Sequence, residues 1–81
     1  MQIHISSTAE LELSKLSQLT QNRIVNKIEL YAQQPDPLKF AKYIAQRKSY
    51  RFRVGDYRIF FEPKDSVIHV TEIARRDKAY D

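Results

Sequence analysis

Tyr50-Arg51-Phe52-Arg53-Val54 is the stretch that most narrows what this chain can become. Its apolar and charged residues alternate strictly, the two-residue period of a strand with one face buried and the other open. Gly55-Asp56 follows, a two-residue hairpin turn signal. Tyr57-Arg58-Ile59-Phe60-Phe61-Glu62 then reads as the returning strand. The pleat sends Phe52 and Val54 to one face and Arg51 and Arg53 to the other. A register slip of a single residue would reverse every one of these assignments.

The remaining elements are arranged around this hairpin. Met1–Ser6 alternates weakly, with Ile3 and Ile5 on one side, and predicts a short first strand. Ser7-Thr8-Ala9-Glu10 has the form of a capping box, so a helix should follow, with Leu13, Leu16 and Leu19 as its stripe. Thr20 or Asn22 can cap a second helix, in which Ile24, Ile28 and Tyr31 repeat at helical spacing. Pro35-Asp36-Pro37 ends it. Residues 39–48 fit either a short helix or an irregular approach to the sheet. Pro63-Lys64-Asp65-Ser66 is a polar turn, and Val67–Ala74 a final strand rich in β-branched residues. The expected class is α+β: one domain over residues 1–81, in the order β-α-α-β-β-β. A mainly antiparallel, twisted sheet of about four strands packs one face on an amino-terminal helical hairpin and leaves the other open.

Charge is distributed unevenly over this frame. The net charge is +4, yet between residues 39 and 58 there are seven Lys and Arg and one carboxylate, Asp56. Cations gathered on one face attract polyanions, nucleic acid first among them. An acidic partner protein, or a merely solvated face, meets the same description. Alternation places Arg51 and Arg53 on the open face, with Arg58 just past the turn and Arg75 and Arg76 at the end of the last strand. With the terminal Tyr80 these side chains can converge on one basic surface, to which Lys48 adds a further cation. Arg51 and Arg53 also suit the charged face of an edge hairpin, and Tyr80 a frayed terminus.

Several chemistries find no support. The chain has no Cys, so neither disulfides nor Cys-ligated metals arise, and a reducing compartment, the cytoplasm, is the expected location. His4 and His69 have no partners at ligand spacing, so no metal and no cofactor is expected. No Ser sits in a Gly-x-Ser-x-Gly setting. The longest apolar runs are three residues, such as Ile59-Phe60-Phe61, too short for a membrane span or a signal-peptide core.

The run Tyr50-Arg51-Phe52-Arg53-Val54-Gly55-Asp56-Tyr57-Arg58-Ile59 resembles the Y-R-x-R-V-G-x-Y-R core of the RelE/ParE superfamily of toxins from bacterial toxin–antitoxin modules. Ile73-Ala74-Arg75-Arg76-Asp77-Lys78-Ala79-Tyr80 resembles that family's closing I-G-H-R-x-x-x-Y segment, and the element order agrees along the whole chain. The resemblance implies a ribosome-dependent mRNA endonuclease in which a ribose 2′-hydroxyl attacks the adjacent phosphate. Matched positions imply Arg58 and Arg76 as the clamp on the transition state and Tyr80 as the group that orients or deprotonates the 2′-hydroxyl. Arg51 and Arg53 would hold the RNA backbone or lie near the leaving oxygen. Positions 51 and 53 are Arg where the best-known nucleases carry Lys, and Arg75 stands where many members have His. Arginine hardly trades a proton, so here these positions would act by charge.

The gyrase-targeting branch shares the fold and much of the core motif without being a nuclease. Its R-x-D ending also matches Arg75-Arg76-Asp77. A plain interaction module is the third possibility. Every toxin reading implies a cognate antitoxin whose acidic or mixed-charge tail covers the basic face, with ribosome and mRNA as the further partners of the nuclease.

Overall fold

In a computed structural model, which describes residues 1–76, one five-stranded sheet carries both helices on the same face. The elements run β1 (Gln2–Ile5), α1 (Ser7–Ser14), α2 (Gln18–Ala32), a single 3₁₀ turn (Pro37–Phe40), β2 (Lys42–Ile44), β3 (Ser49–Val54), β4 (Tyr57–Lys64) and β5 (Val67–Arg75). Spatial order is β1-β5-β4-β3-β2. β1 pairs with β5 in parallel, and the remaining pairs are antiparallel. The expected α+β order is therefore present. The ambiguous residues 39–48 supply one strand beyond the expected four.

Helix starts follow from where the chain leaves the sheet. The Ser6 amide donates to the Val70 carbonyl at 2.9 Å, which prolongs the β1 ladder by one residue. Ser6 is thus still extended (φ −63, ψ 159), and its hydroxyl accepts from the Ala9 amide. The cap is Ser6, not Ser7, and Glu10 has no capping-box role. Ser17, not Thr20 or Asn22, caps α2 by accepting from the Thr20 amide. Leu19 then lies five residues before Ile24, about 140° around the helix from it. It is 80% exposed instead of extending the stripe. The buried stripe is Ile24, Ile28 and Ala32, with Tyr31 half-buried beside it.

The core forms between these helices and one side of the sheet. Phe52, Ile59, Phe61, Ile68 and Val70 meet Ala9, Ile24 and Ile28 with almost no residual exposure. Gly55 (φ +58) and Asp56 make the two-residue β3–β4 turn, closed by the Val54–Tyr57 pair. Asp65 (φ 54) and Ser66 (φ 62) make a second such turn between β4 and β5, inside the Lys64–Val67 pair. Both central φ values are positive there, as the right-handed twist of a hairpin favours. Pro63 pairs only with Ile68 of β5, beyond the last β3–β4 pair, so its missing N–H breaks no ladder on the β3 side.

Candidate nucleic-acid interface

Register decides which charges meet. Phe52 pairs with Ile59 and Val54 with Tyr57 on the helix side, so Arg53 pairs directly with Arg58 on the outer face. One pair further along that face, Arg51 lies opposite Phe60 and, on its other side, Lys42 of β2. Cβ atoms of directly paired residues stand about 4.5–5.5 Å apart, and those two residues apart on one strand about 6.6–6.8 Å. The pleat therefore brings together Arg51, Arg53 and Arg58, with Lys42 beside them.

These cations differ in depth. Arg53 is exposed, whereas Arg51 and Arg58 are only 8% and 5% exposed. A guanidinium so far from water needs polar or ionic partners, and none of Arg51, Arg53, Arg58 and Arg75 is without one. Part of the cover comes from the β2–β3 turn. Arg47 reaches from it over the outer face, its guanidinium 3.9 Å from the Phe60 ring centroid, and bridges Glu72 of β5 at 2.6 Å. Ile44 is buried on the same side, and the Ser49 hydroxyl donates to the Phe61 carbonyl at 3.0 Å.

A β-bulge sets the far edge of this face. Phe60 pairs with Glu72 but Phe61 with Val70, so Thr71 is the extra residue. Before it Ile68 and Val70 face the helices; after it Ile73 does. Glu72 is thereby turned to the outer face, within reach of Arg47, and Arg75 to the helix side. There Arg75 lines a cleft with Glu12, Lys15 and Leu16. Arg76 is held at the turn end of the sheet, where its amide donates to the Asp56 carbonyl at 2.6 Å, the same end as Arg53 and Arg58. Lys48 (φ 51) sits in the β2–β3 turn, five residues along β3 from Arg53, about 16 Å away. Tyr80 lies outside the described residues.

Arg47, Glu72 and Lys42 are the face residues that sequence reasoning did not single out. The basic run contained a signal for Arg47 and Lys42. Glu72 had none, because strict alternation from Val70 puts it on the helix side.

Chemically, the arrangement supplies fixed positive charge. The Arg53–Arg58 pair continues onto Ala74 of β5 and so has no proton-transferring neighbour in its own row. His4 and His69 pair across β1 and β5, rings 5.7 Å apart, with Glu62 opposite His69. Glu62 lies four residues from Arg58 along β4, about 13 Å off. Among the described residues, no three His, Asp or Glu side chains come together to hold a metal ion, and no helix is long and apolar enough to cross a membrane.

Comparison with known proteins bears on the family and the fold. The family model for the ParE toxin of the type II toxin–antitoxin system parDE matches residues 3–80. The fold is similar to that in the toxin–antitoxin complex RelBE2 from Mycobacterium tuberculosis, with TM-score 0.76, 19% identity, and coverage of 93% of this chain and 96% of that one. It is also similar to the archaeal RelE–RelB complex from Pyrococcus horikoshii OT3, with TM-score 0.71, 25% identity, and coverage of 96% and 97%. No curated protein sequence matches.

Proposed function

The chain belongs to the family of ParE toxins of type II toxin–antitoxin systems, and from that premise we propose that it stops translation by cutting mRNA on the ribosome. The observation that carries this reading is the direct pairing of Arg53 with Arg58 on the outer face, with Arg51 one pair away. A phosphate diester beside this pair gains charge-assisted hydrogen bonds from two guanidinium forks.

In the proposed reaction the ribose 2′-hydroxyl gives up its proton and its oxygen attacks the adjacent phosphorus. The P–O5′ bond of the pentavalent phosphorane then breaks, leaving a 2′,3′-cyclic phosphate, and the 5′-oxygen takes a proton from water. The charge gathered on the phosphorane is greatest in the transition state, so preorganised cations accelerate the step. Arg58 and Arg76 take the clamp role, Arg51 and Arg53 hold the RNA backbone or lie near the leaving oxygen, and Tyr80 orients the 2′-hydroxyl or takes its proton. Residues 1–81 act as one toxin domain in the cytoplasm. A cognate antitoxin with an acidic or mixed-charge tail neutralises it by covering the basic face.

A second reading has its own support. The row Arg53–Arg58–Ala74 lacks a proton carrier, and the matching family model bears the ParE name. Both favour a toxin that binds DNA gyrase and performs no chemistry.

One experiment separates them. Purified protein is added to an in vitro translation reaction and, separately, to a gyrase supercoiling assay. The nuclease reading expects inhibited translation with mRNA cut within codons, loss of cutting in Arg53→Ala and Arg58→Lys, and untouched supercoiling. Intact mRNA with inhibited supercoiling overturns it in favour of the second reading. A short neighbouring reading frame encoding a DNA-binding amino-terminal half supports the module itself.

A further inference from the structure

Six aromatic rings form a chain of contacts that begins and ends in solvent. Phe40 stacks on Tyr31 at 5.0 Å with 15° between the planes. Tyr31 meets Phe52 at 4.8 Å, Phe52 meets Phe61 at 4.3 Å, Phe61 meets Tyr50 at 5.8 Å, and Tyr50 meets Tyr43 at 5.1 Å. The middle rings are core. The two end rings are not: Phe40 is 45% and Tyr43 52% exposed. They are three residues apart in sequence, so their Cα atoms are at most about 11 Å apart. Phe40 lies face to face with Tyr31, whereas Tyr43 meets Tyr50 edge to face at 66°.

Cations outnumber carboxylates along the segment that carries the two rings, where Asp36 is the N-cap residue of the 3₁₀ turn of Phe40. No carboxylate occurs between Asp36 and Asp56, while Lys39, Lys42 and Lys48 are exposed in that interval. The Lys27 ammonium lies 5.6 Å from the centroid of the Tyr31 ring that supports Phe40. β2 is an edge strand of three residues. Its alternation puts Tyr43, paired with Tyr50, on one side and Lys42, paired with Arg51, on the other. A chain passing from the arginine face around the β2 edge meets Lys42 first and the rings next.

We propose that Phe40 and Tyr43 are a base-stacking platform for single-stranded RNA, joined to the arginine face by Lys42 across the β2 edge. The inference rests on the RNA-directed reading above and names a second contact for the same ligand. Exposed rings flanked by lysines match the general recipe for single-strand binding: bases stack on aromatic faces while cations follow the backbone. An acidic protein segment would use the lysines but gain little from ring planarity.

The test is binding of the full chain to a fluorescent 2′-O-methyl oligouridine, which cannot be cut through its 2′-oxygen, over a series of salt concentrations. Tyr43→Leu and Phe40→Leu keep apolar bulk and lose the ring face. Each is expected to weaken binding roughly tenfold without changing the slope of log K against log salt. Tyr43→Phe keeps the ring and should bind like the parent. Lys42→Gln should flatten the slope by about 0.7. Circular dichroism checks the fold of each variant; should Phe40→Leu unfold, Tyr43→Leu carries the test. Parental affinity in the leucine variants, with loss in Arg53→Ala, overturns the platform and leaves the arginine face standing. Absence of RNA binding by the parent overturns the platform, while the ribosome-dependent reading stands or falls on the translation assay. Leucine variants that bind RNA normally and lose affinity only for the antitoxin assign the rings to protein docking and overturn the platform.

Discussion

Arg47 and Glu72 form a bridge from the β2–β3 turn to β5, with Nη1 2.6 Å from Oε1 and the guanidinium resting on the Phe60 ring between them. The bridge crosses the outer face next to Arg51 and gives that face an internal counter-charge. Its side chains are 29% and 37% exposed, so it contributes little to stability. Glu72→Gln should lower the free energy of unfolding by less than about 1 kcal/mol in urea titrations. It also releases one cation toward the ligand. RNA binding should tighten, with the log K–log salt slope steeper by up to about 0.7. A weaker complex at every salt concentration would show that Glu72 holds Arg47 in its binding position.

Arg53 and Arg58 face each other yet sit at different depths, and their substitutions should separate accordingly. Arg53 is exposed, so Arg53→Ala should change stability by no more than about 0.5 kcal/mol. The loss of translation inhibition in that variant would then report on chemistry or binding alone. Arg58 is 5% exposed, its stem packed within the sheet face. Arg58→Ala should destabilise by about 1–3 kcal/mol as well as inactivate. Urea midpoints measured beside translation assays check both; an Arg53→Ala variant as unstable as Arg58→Ala would contradict the depths seen here.

The contrast between β3 and β5 shows how far sequence reaches. In β3 the period runs unbroken from Tyr50 to Val54, and Gly55 fixes where the chain turns. The faces of Arg51 and Arg53 follow from alternation, and the Arg53–Arg58 pairing from the two-residue turn. In β5 the period breaks at Thr71, and nothing local marks the break. The bulge is held from outside, by the Ser6 hydroxyl donating to the Thr71 carbonyl and the Thr71 hydroxyl donating to the Phe60 carbonyl. Glu72 and Arg75 thus change faces through tertiary contacts. β2 escapes notice for a different reason: three residues cannot display a period, and its place is fixed by the Tyr43–Tyr50 ring contact and pairing with β3. The caps lie one residue before Ser7 and three or five before Thr20 or Asn22, because Ser6 is claimed by the β5 ladder and Ser17 starts α2 early.

Glu12 does structural work that its position on a polar helix face conceals. β1 ends at Ile5, and the parallel ladder stops near Val70. The amide of Ile73 lies beyond it, and the Glu12 carboxylate accepts from that amide at 2.9 Å. Glu12→Ala leaves the donor unmet and should cost about 1–3 kcal/mol. Glu12→Gln keeps an acceptor oxygen and should recover most of it. Thermal melts of the two variants check this, with hydrogen exchange at Ile73 as the local readout. Equal stability of both variants and parent would mean that water replaces the carboxylate without cost.

Gly55 secures the register on which the arginine face depends. Its φ of +58 lies in the left-handed region, while an added Cβ would meet only Arg23 Nη1 at 4.0 Å, ordinary contact. Any penalty on substitution therefore comes from the backbone, not from crowding. Gly55→Ala should cost about 1–2 kcal/mol, and Gly55→Asn less, since Asn enters this region more readily. The penalty should appear locally, as faster amide exchange at Val54 and Tyr57, the pair that closes the turn. If the chain instead relaxes by slipping one residue, Arg53 leaves the outer face altogether. RNA affinity would then fall far more than stability. Measuring both in Gly55→Ala and Gly55→Asn tells strain from slippage: strain lowers the melting temperature with binding retained below it, and slippage removes binding at temperatures where the protein is still folded.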